Sequence, residues 1–220
     1  MFKKSLYGTL LLFIATSVFA QSDEIYGGLG GTIGYGLTMG YAKNISSTTT
    51  LRGEFAGGLK LAKDGVQDGV NYTGKFTNNR LGAFADWFPG SGGFRLTGGL
   101  TYNDTKFELN STATGNATAT INGKTTNLAG SYYNLAIKLP KVTPFVGIGY
   151  GHHTRKDKGW GFFTELGFVL GKFKVESSTD LVTKGAVTQA DIDAQNQKTN
   201  DSLAKLSVIP SFSIGASYNF

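Results

Sequence analysis

Charged residues recur at alternate positions within apolar segments, and they are the strongest candidates for chemistry in this sequence. Side chains two residues apart on a β-strand share a face. The charged side chains of each segment are therefore expected to lie together on one polar face of its strand. Opposed cations and carboxylates could line an ion-selective pore, or they could neutralise one another as salt bridges. We favour salt bridges, because both signs occur at similar depth and bulky Phe84 shares the face. The predicted network comprises Arg52, Glu54, Arg80, Asp86, Arg95, Lys138 and Glu165.

The chain has two histidines, His152 and His153, which are adjacent, and it has no cysteine. Neighbouring side chains of a strand point to opposite faces, so this pair is not expected to hold one metal ion between them. We therefore predict no metal site and no cofactor.

The segments that carry these charges alternate between apolar and small or polar residues over about ten positions, which is the period of a β-strand. Such lengths suit a tilted membrane strand of ~9–11 residues better than a sandwich strand of ~5–6. One face is apolar and aromatic, and the other is polar, as in a barrel that meets lipid outside and is polar inside. The fold class predicted is all-β, a closed antiparallel transmembrane β-barrel. The alternating segments are 25–41, 51–61, 80–87, 94–103, 133–139, 146–150, 160–170 and 211–220.

The number of strands is either eight or ten, because such barrels have even numbers. Ten requires a short first strand at 24–29, whereas eight requires that 173–179 extends the strand before it; we prefer eight. Short connections are predicted at one end of the barrel and longer ones at the other. The short ones are 43–49, 89–92, 140–143 and 171–172, and the longer ones are 62–70, 109–128, 152–158 and 180–206.

The last long loop contains the one helix candidate of the sequence, at 188–206. Thr188 and Asp191 have the spacing of a helix-capping pair. Ile192, Leu203 and Leu206 fall roughly on one helix face. The helix could bind a partner, but its mostly polar surface favours a solvated loop.

Residues 1–20 are predicted to be a secretory signal peptide. Lys3 and Lys4 precede an apolar run, and Val18 and Ala20 occupy the positions that a signal peptidase reads. Cleavage after Ala20 would leave 21–220 as one barrel domain and, by removing both lysines, lower the net charge from +6 to +4. This modest charge on an exported protein does not suggest a nucleic-acid partner.

The chain finishes on SFSIGASYNF, in which apolar residues alternate with small ones up to the last position. This ending resembles the C-terminal signature of bacterial outer-membrane β-barrels, with an aromatic third from the end and an aromatic terminus. The whole pattern looks like the small OmpX/OmpW-type barrels and the OmpA-type transmembrane barrel. The resemblance implies that the barrel-assembly machinery recognises this segment during biogenesis. Its signal residues would be Phe212, Ile214, Tyr218 and Phe220.

The resemblance also implies location in the bacterial outer membrane, in contact with its lipid and lipopolysaccharide. Aromatic residues at strand ends would form a girdle at the membrane interface. The predicted girdle is Tyr41, Trp87, Phe94 and Trp160. The basic run at 155–158 is placed in an outer loop, where it either contacts lipid phosphates or is a solvated turn.

The role expected from these features is non-enzymatic, in envelope integrity or surface interaction, by a monomeric barrel with a filled lumen. The first alternative is a porin-like channel for small or hydrophobic solutes. The second is a lipid-modifying enzyme using His153 with Asp157. That alternative is weaker, because the His-Xaa-Ser-Asn pattern of the deacylases is absent: His153 is followed by Thr154 and Arg155.

Overall fold

The structure is a computed structural model that describes residues 23–34, 36–67, 69–90, 92–115, 117–153 and 158–220. The signal peptide and its cleavage after Ala20 lie outside the described residues and stay predictions. The same holds for Arg155 and Asp157.

Within the described residues the chain forms strands almost throughout and one helix. The strands, in chain order, are β1 Asp23–Thr32, β2 Leu37–Ser46, β3 Thr49–Gly57, β4 Lys60–Gln67, β5 Val70–Trp87, β6 Phe94–Ala113, β7 Thr118–Ile121, β8 Lys124–Asn127, β9 Tyr132–Lys138, β10 Val142–Tyr150, β11 Gly159–Leu170, β12 Lys174–Thr179 and β13 Val208–Asn219. The helix α1 spans Gln189–Leu203, between β12 and β13.

Eight strands close into an antiparallel barrel, in the order β1, β2, β3, β5, β6, β10, β11 and β13. The last strand pairs with the first, with Glu24 opposite Asn219, and the Phe220 backbone N–H donates to the Asp23 carbonyl at 3.0 Å. Closure gives every wall strand two neighbours and leaves no free sheet edge within the barrel wall. This explains why the alternation continues to the end of the chain, and the closed antiparallel barrel is confirmed.

Three further strands lengthen the wall on one side. β4 pairs with 70–77 of β5, β9 pairs with 106–112 of β6, and β12 pairs with β9. We call β4, β9, β12 and those parts of β5 and β6 the sheet extension, and the opposite end of the barrel the turn end. The predicted segment 25–41 is two strands, β1 and β2, so the short first strand that we associate with a count of ten exists. The count of eight is nevertheless confirmed and ten is wrong, because β10 continues the direction of β9 and β12 continues that of β11.

The predicted sidedness of three connections is wrong. Segments 140–143 and 171–172 are interruptions within long strands, since β9 leads into β10 and β11 leads into β12. The two strands that flank 152–158 meet at the turn end, because Tyr150 at the end of β10 pairs with Phe94 at the start of β6, and Gly159 at the start of β11 pairs with Asn219. Pro140 and Gly171 at these strand breaks therefore resemble turns in the sequence without reversing the chain.

The barrel wall is apolar outside and polar inside, which is the arrangement of a transmembrane β-barrel. The apolar positions of the wall strands point outward, and the small, polar and charged positions point inward and are buried. Large apolar side chains that are about half exposed or more on the outside include Ile25, Leu29, Met39, Leu81, Leu100, Val142, Phe162 and Ile214. Among the described residues, no helix has both the length and the apolarity to cross a membrane.

The long loop before β13 contains the predicted helix, and its capping pair is confirmed. The Thr188 side chain accepts from the Asp191 backbone N–H, and the Asp191 carboxylate accepts from the Thr188 backbone N–H at 3.1 Å. Hydrogen bonds from Lys124, Thr188 and Asn122 hold the pKa of Asp191 well below its ordinary value of 3.8. The carboxylate thus also ties the helix to the β7–β8 hairpin.

A small apolar cluster anchors the same loop. Ile192 of α1 is buried, whereas Leu206 is 57% exposed, so the predicted single apolar face is only partly right. The helix also contacts β12, where the Asn200 side chain accepts from the Val175 backbone N–H at 2.8 Å. The buried members of the cluster are Ile121, Leu181, Val187 and Ile192.

Candidate functional site

The centre of the barrel is occupied by buried charged side chains from the wall strands. Six of the seven residues of the predicted network meet there: Arg52, Glu54, Arg80, Asp86, Arg95 and Glu165. Each side chain is at most 2% exposed. We call these six residues the lumen network.

Arg52 is the hub of the lumen network. Its Nε donates to Oδ2 of Asp86 at 2.5 Å, and its Nη2 donates to Oδ1 of the same carboxylate at 3.3 Å. Its Nη1 donates to Oε2 of Glu54 at 3.3 Å, and its Nη2 also donates to Glu165. A planar guanidinium suits this role, because its five N–H groups can serve several carboxylates at once.

The other two arginines complete the network. Arg95 donates through Nη1 to Oε2 of Glu165 at 2.9 Å and lies 3.6 Å from Asp86. Arg80 is paired with Glu54 and donates to the Ser211 hydroxyl at 2.9 Å. Three guanidinium groups thus face three carboxylates, so the network as a whole is close to neutral. Buried charges that lack such partners would be costly.

An aromatic and aliphatic layer lies next to the lumen network inside the barrel. The guanidinium of Arg52 lies 4.9 Å from the ring centroid of Phe84, and that of Arg80 lies 5.3 Å from Phe145. The two rings contact each other at 4.9 Å between centroids. The buried members of this layer are Phe84, Leu139, Phe145, Val169 and Ile209.

Inward-facing glycines make room for these rings. A Cβ added at Gly167 would collide with the Phe145 ring, and one added at Gly82 would collide with the Phe84 ring. At Gly149 an added Cβ would lie 2.9 Å from Nη1 of Arg95. Some glycines of the strands therefore leave space for the side chains that fill the lumen, rather than allowing backbone turns.

The turn end of the lumen is filled by a second buried pair, Glu24 with His152, which the sequence analysis missed. Nδ1 of His152 is hydrogen-bonded to the Glu24 carboxylate, and both side chains are at most 2% exposed. The Tyr26 ring packs on His152 at 4.4 Å between centroids, and its hydroxyl donates to Glu54 at 3.2 Å. The inward position of Glu24 could have been predicted from the sequence, because Glu24 lies on the polar face of β1, two residues before Tyr26.

Lys138 does not belong to the lumen network, and its predicted place there is wrong. It lies on β9 in the sheet extension, where it pairs with Glu176 and its side chain is 43% exposed. In this part of the wall the outer face is polar, and the apolar side chains of Ile137 and Leu139 lie on the inner face. On this strand the apolar side chains therefore point inward and the polar ones outward, which is the reverse of the apolar band.

The predicted girdle and assembly-signal residues lie on the outer surface of the barrel. Trp87, Phe94 and Trp160 are at the turn end and are at least half exposed, and Trp160 packs on Tyr218 at 5.3 Å between ring centroids. Tyr41 lies further along β2, opposite Ile25 and Gly53. Of the predicted assembly signal, Phe212, Ile214 and Phe220 are exposed and Tyr218 is half-buried.

The described residues contain no group of three or more His, Cys, Asp or Glu side chains that could hold a metal ion. His153 lies apart from the lumen network, 6.4 Å from the Phe88 ring and 6.1 Å from the Tyr150 ring between centroids. The arrangement in the lumen is suited to fixing the walls of the barrel to one another.

Comparison with known proteins gives a likeness of fold. No model of a protein family and no curated protein sequence matches the chain. Two crystal structures from Acinetobacter baumannii are similar to it. CarO is 18% identical over 94% of this chain and 100% of that chain, with a TM-score of 0.53. CarO2 is 19% identical over 91% of this chain and 99% of that chain, with a TM-score of 0.58. At this identity the shared property is the barrel fold.

Proposed function

We propose that the protein is a monomeric, non-enzymatic outer-membrane barrel whose lumen does not conduct. It would act in envelope integrity or surface interaction through the sheet extension and the loop that contains α1. The apolar outer band, the barrel-type C-terminal segment and the fold shared with CarO support placement in the outer membrane. The proposal assigns the protein to the wider group of small outer-membrane barrels, which includes the OmpX/OmpW-type barrels.

The observation that carries the proposal is the filling of the lumen. The lumen network, the Phe84–Phe145 layer and the Glu24–His152 pair follow one another inside the barrel and are buried. An eight-stranded barrel has an interior only wide enough to be filled by side chains. A solute would have to break several charged hydrogen bonds at once to pass, which favours a closed barrel over a porin-like channel.

The exposed part of the molecule beyond the barrel would then perform the function. The sheet extension and α1 are built from polar side chains on their outer surfaces. They are also internally fixed, because the apolar cluster around Ile192 and the capping contacts of Asp191 order the loop. A rigid, polar surface of this kind is suited to contact with other envelope components.

Solute flux through liposomes tests the proposal. The refolded mature protein is reconstituted, and swelling is followed with a small sugar, an amino acid and a short-chain hydrophobic amine. We expect the swelling rate of protein-free liposomes for all three solutes. Faster swelling with any of them, from protein shown to be folded by its heat-modifiable gel shift, would overturn the closed-lumen proposal and support the channel alternative.

A further inference from the structure

A row of lysines crosses the outer face of the sheet extension. Lys60 on β4 is opposite Thr77 on β5, which is opposite Lys106 on β6. Lys106 is opposite Lys138 on β9, which is opposite Lys174 on β12. Three lysines are therefore direct cross-strand neighbours on adjacent strands.

This row lies at the edge of the apolar band. Tyr102 precedes Lys106 on β6 by four residues, so the two side chains share the outer face. Tyr102, its partner Val142 and neighbouring Leu81 are all more than half exposed. The ammonium of Lys141 lies 5.8 Å from the Tyr102 ring centroid, so cation and aromatic ring meet at this boundary.

Two hollows adjoin each other at the same boundary. The upper one, of about 520 Å³, has four lysines and two carboxylates among its lining: Lys106, Lys138, Lys141, Lys174, Asp104 and Glu176. The lower one, of about 270 Å³, includes Leu81, Leu100, Tyr102 and Val142 in its lining. A hollow rich in lysines thus neighbours an apolar one, because Asn103 and Lys141 of the first directly adjoin Tyr102 and Val142 of the second along the chain.

The four lysines of the upper hollow exceed by one the carboxylates that pair with them. Lys138 pairs with Glu176, and Lys141 lies 3.4 Å from Asp104. Lys106 pairs with Glu108 at 3.3 Å, whereas Lys174 has no ion pair within the described part of the chain. Such exposed pairs contribute little, and like charges directly opposite one another on a sheet are destabilising. An anion between the lysines would remove that repulsion.

We propose that this pair of hollows binds a phosphorylated lipid of the leaflet on the extension side. Its phosphate groups would accept hydrogen bonds from Lys106, Lys138 and Lys174, and an acyl chain would lie along Leu81, Tyr102 and Val142. Lysines beside a membrane surface attract anionic headgroups, and a neighbouring apolar groove suits a ligand that is anionic at one end and apolar at the other. This inference rests on the proposed membrane location and deepens it by naming a ligand class.

The test is native mass spectrometry of the refolded protein in neutral detergent with added diphosphoryl lipid A. We expect a bound lipid on the wild-type protein. The clean single variant is Lys174→Gln, for which we expect about fivefold weaker binding, since one lysine near an anionic surface contributes ~1 kcal/mol. The triple variant K106Q/K138Q/K174Q should lose more than the single variant.

The matched control is K63Q/K158Q/K205Q, which removes the same charge from exposed lysines away from the row. We expect this control to bind like the wild-type protein. Equal binding by wild-type and triple variant, or equal binding of dephosphorylated lipid A, would overturn the proposal. Displacement of the lipid by an equal concentration of inorganic phosphate would also overturn it, because the site would then recognise free phosphate. None of these readouts depends on whether the lumen conducts, so failure here is distinguishable from failure of the closed-lumen proposal.

Discussion

Arg52 on β3 and Glu165 on β11 stand on opposite walls of the barrel, with three strands between them in either direction, and their side chains are hydrogen-bonded in the middle. The contact between Arg80 on β5 and Ser211 on β13 crosses the lumen in the same way, at 2.9 Å. An open channel keeps its walls apart. Here the walls are joined through their side chains, so the contents of the lumen contribute to the stability of the barrel.

Removal of one charge from the lumen network should be costly. Glu165→Leu leaves Arg95 with Asp86 at 3.6 Å as its remaining ion pair, and we expect a loss of about 3–5 kcal/mol in the free energy of unfolding. Urea unfolding in detergent, followed by the heat-modifiable gel shift, measures it. The control is Glu176→Gln, which removes an exposed carboxylate and should cost under about 1 kcal/mol. Equal losses for the two variants would contradict a structural role for the network.

Arg52→Leu combined with Glu165→Leu gives a second test of the same network. Because the two residues contact each other directly, the double variant should lose less stability than the two single losses added together. A double-mutant cycle on unfolding free energies measures this coupling. Strict additivity would mean that the cross-lumen contact contributes nothing.

The inward glycines should not tolerate a side chain. Gly167→Ala puts a methyl group into the Phe145 ring, and overpacking of this kind costs about 1–3 kcal/mol. Gly98→Ala is the matched control, because nothing lies within 4 Å of an added Cβ there. Unfolding in urea should separate the two variants. If Gly167→Ala were as stable as Gly98→Ala, the lumen would contain free space beside Phe145.

The loop that contains α1 should loosen in acid. The pKa of Asp191 is lowered in the folded loop, chiefly by Lys124, so its contribution to stability is present above pH ~4 and is lost as the pH falls toward the lowered pKa. The protection factors of the α1 amides, corrected for the intrinsic exchange rate at each pH, should therefore fall below about pH 4, while those of the barrel strands stay high.

The control for the acid effect is a pair of matched variants. Asp191→Asn should give fast exchange in α1 already at neutral pH, because the hydrogen bonds from Lys124 and the Thr188 backbone lose a charged acceptor. Asp193→Asn should behave like the wild-type protein, since Asp193 contacts only Gln189 of its own helix among the described contacts. Unchanged exchange in Asp191→Asn would mean that this carboxylate does not hold the loop.

Much of the barrel could be predicted from the sequence, because a wall with lipid outside and polar groups inside must alternate with period two. That rule placed Arg52, Glu54 and the other inward charges of the apolar band correctly. It failed for Lys138, since the outer surface of the sheet extension is polar and the pattern reverses there. The rule assumes that lipid surrounds the wall, so it does not apply to strands beyond the apolar band.

The turn end could not be predicted by the same rule. Gly151 and His152 have φ angles of +100° and +62°, so the chain leaves the strand conformation there and adjacent residues no longer alternate between faces. This lets His152 enter the lumen and reach Glu24. Likewise, the interruption near Pro140 resembles a turn, and only the pairing of β9 with β6 shows that the chain continues in the same direction.

Planar-bilayer conductance of the refolded mature protein tests the closed lumen most directly, with the heat-modifiable gel shift as proof of folding. We predict no discrete current steps above those of detergent alone, because Arg52, Glu165 and their partners occupy the path between the two ends of the barrel. Reproducible unitary steps from folded protein would contradict the account and would make the lumen network the lining of a channel.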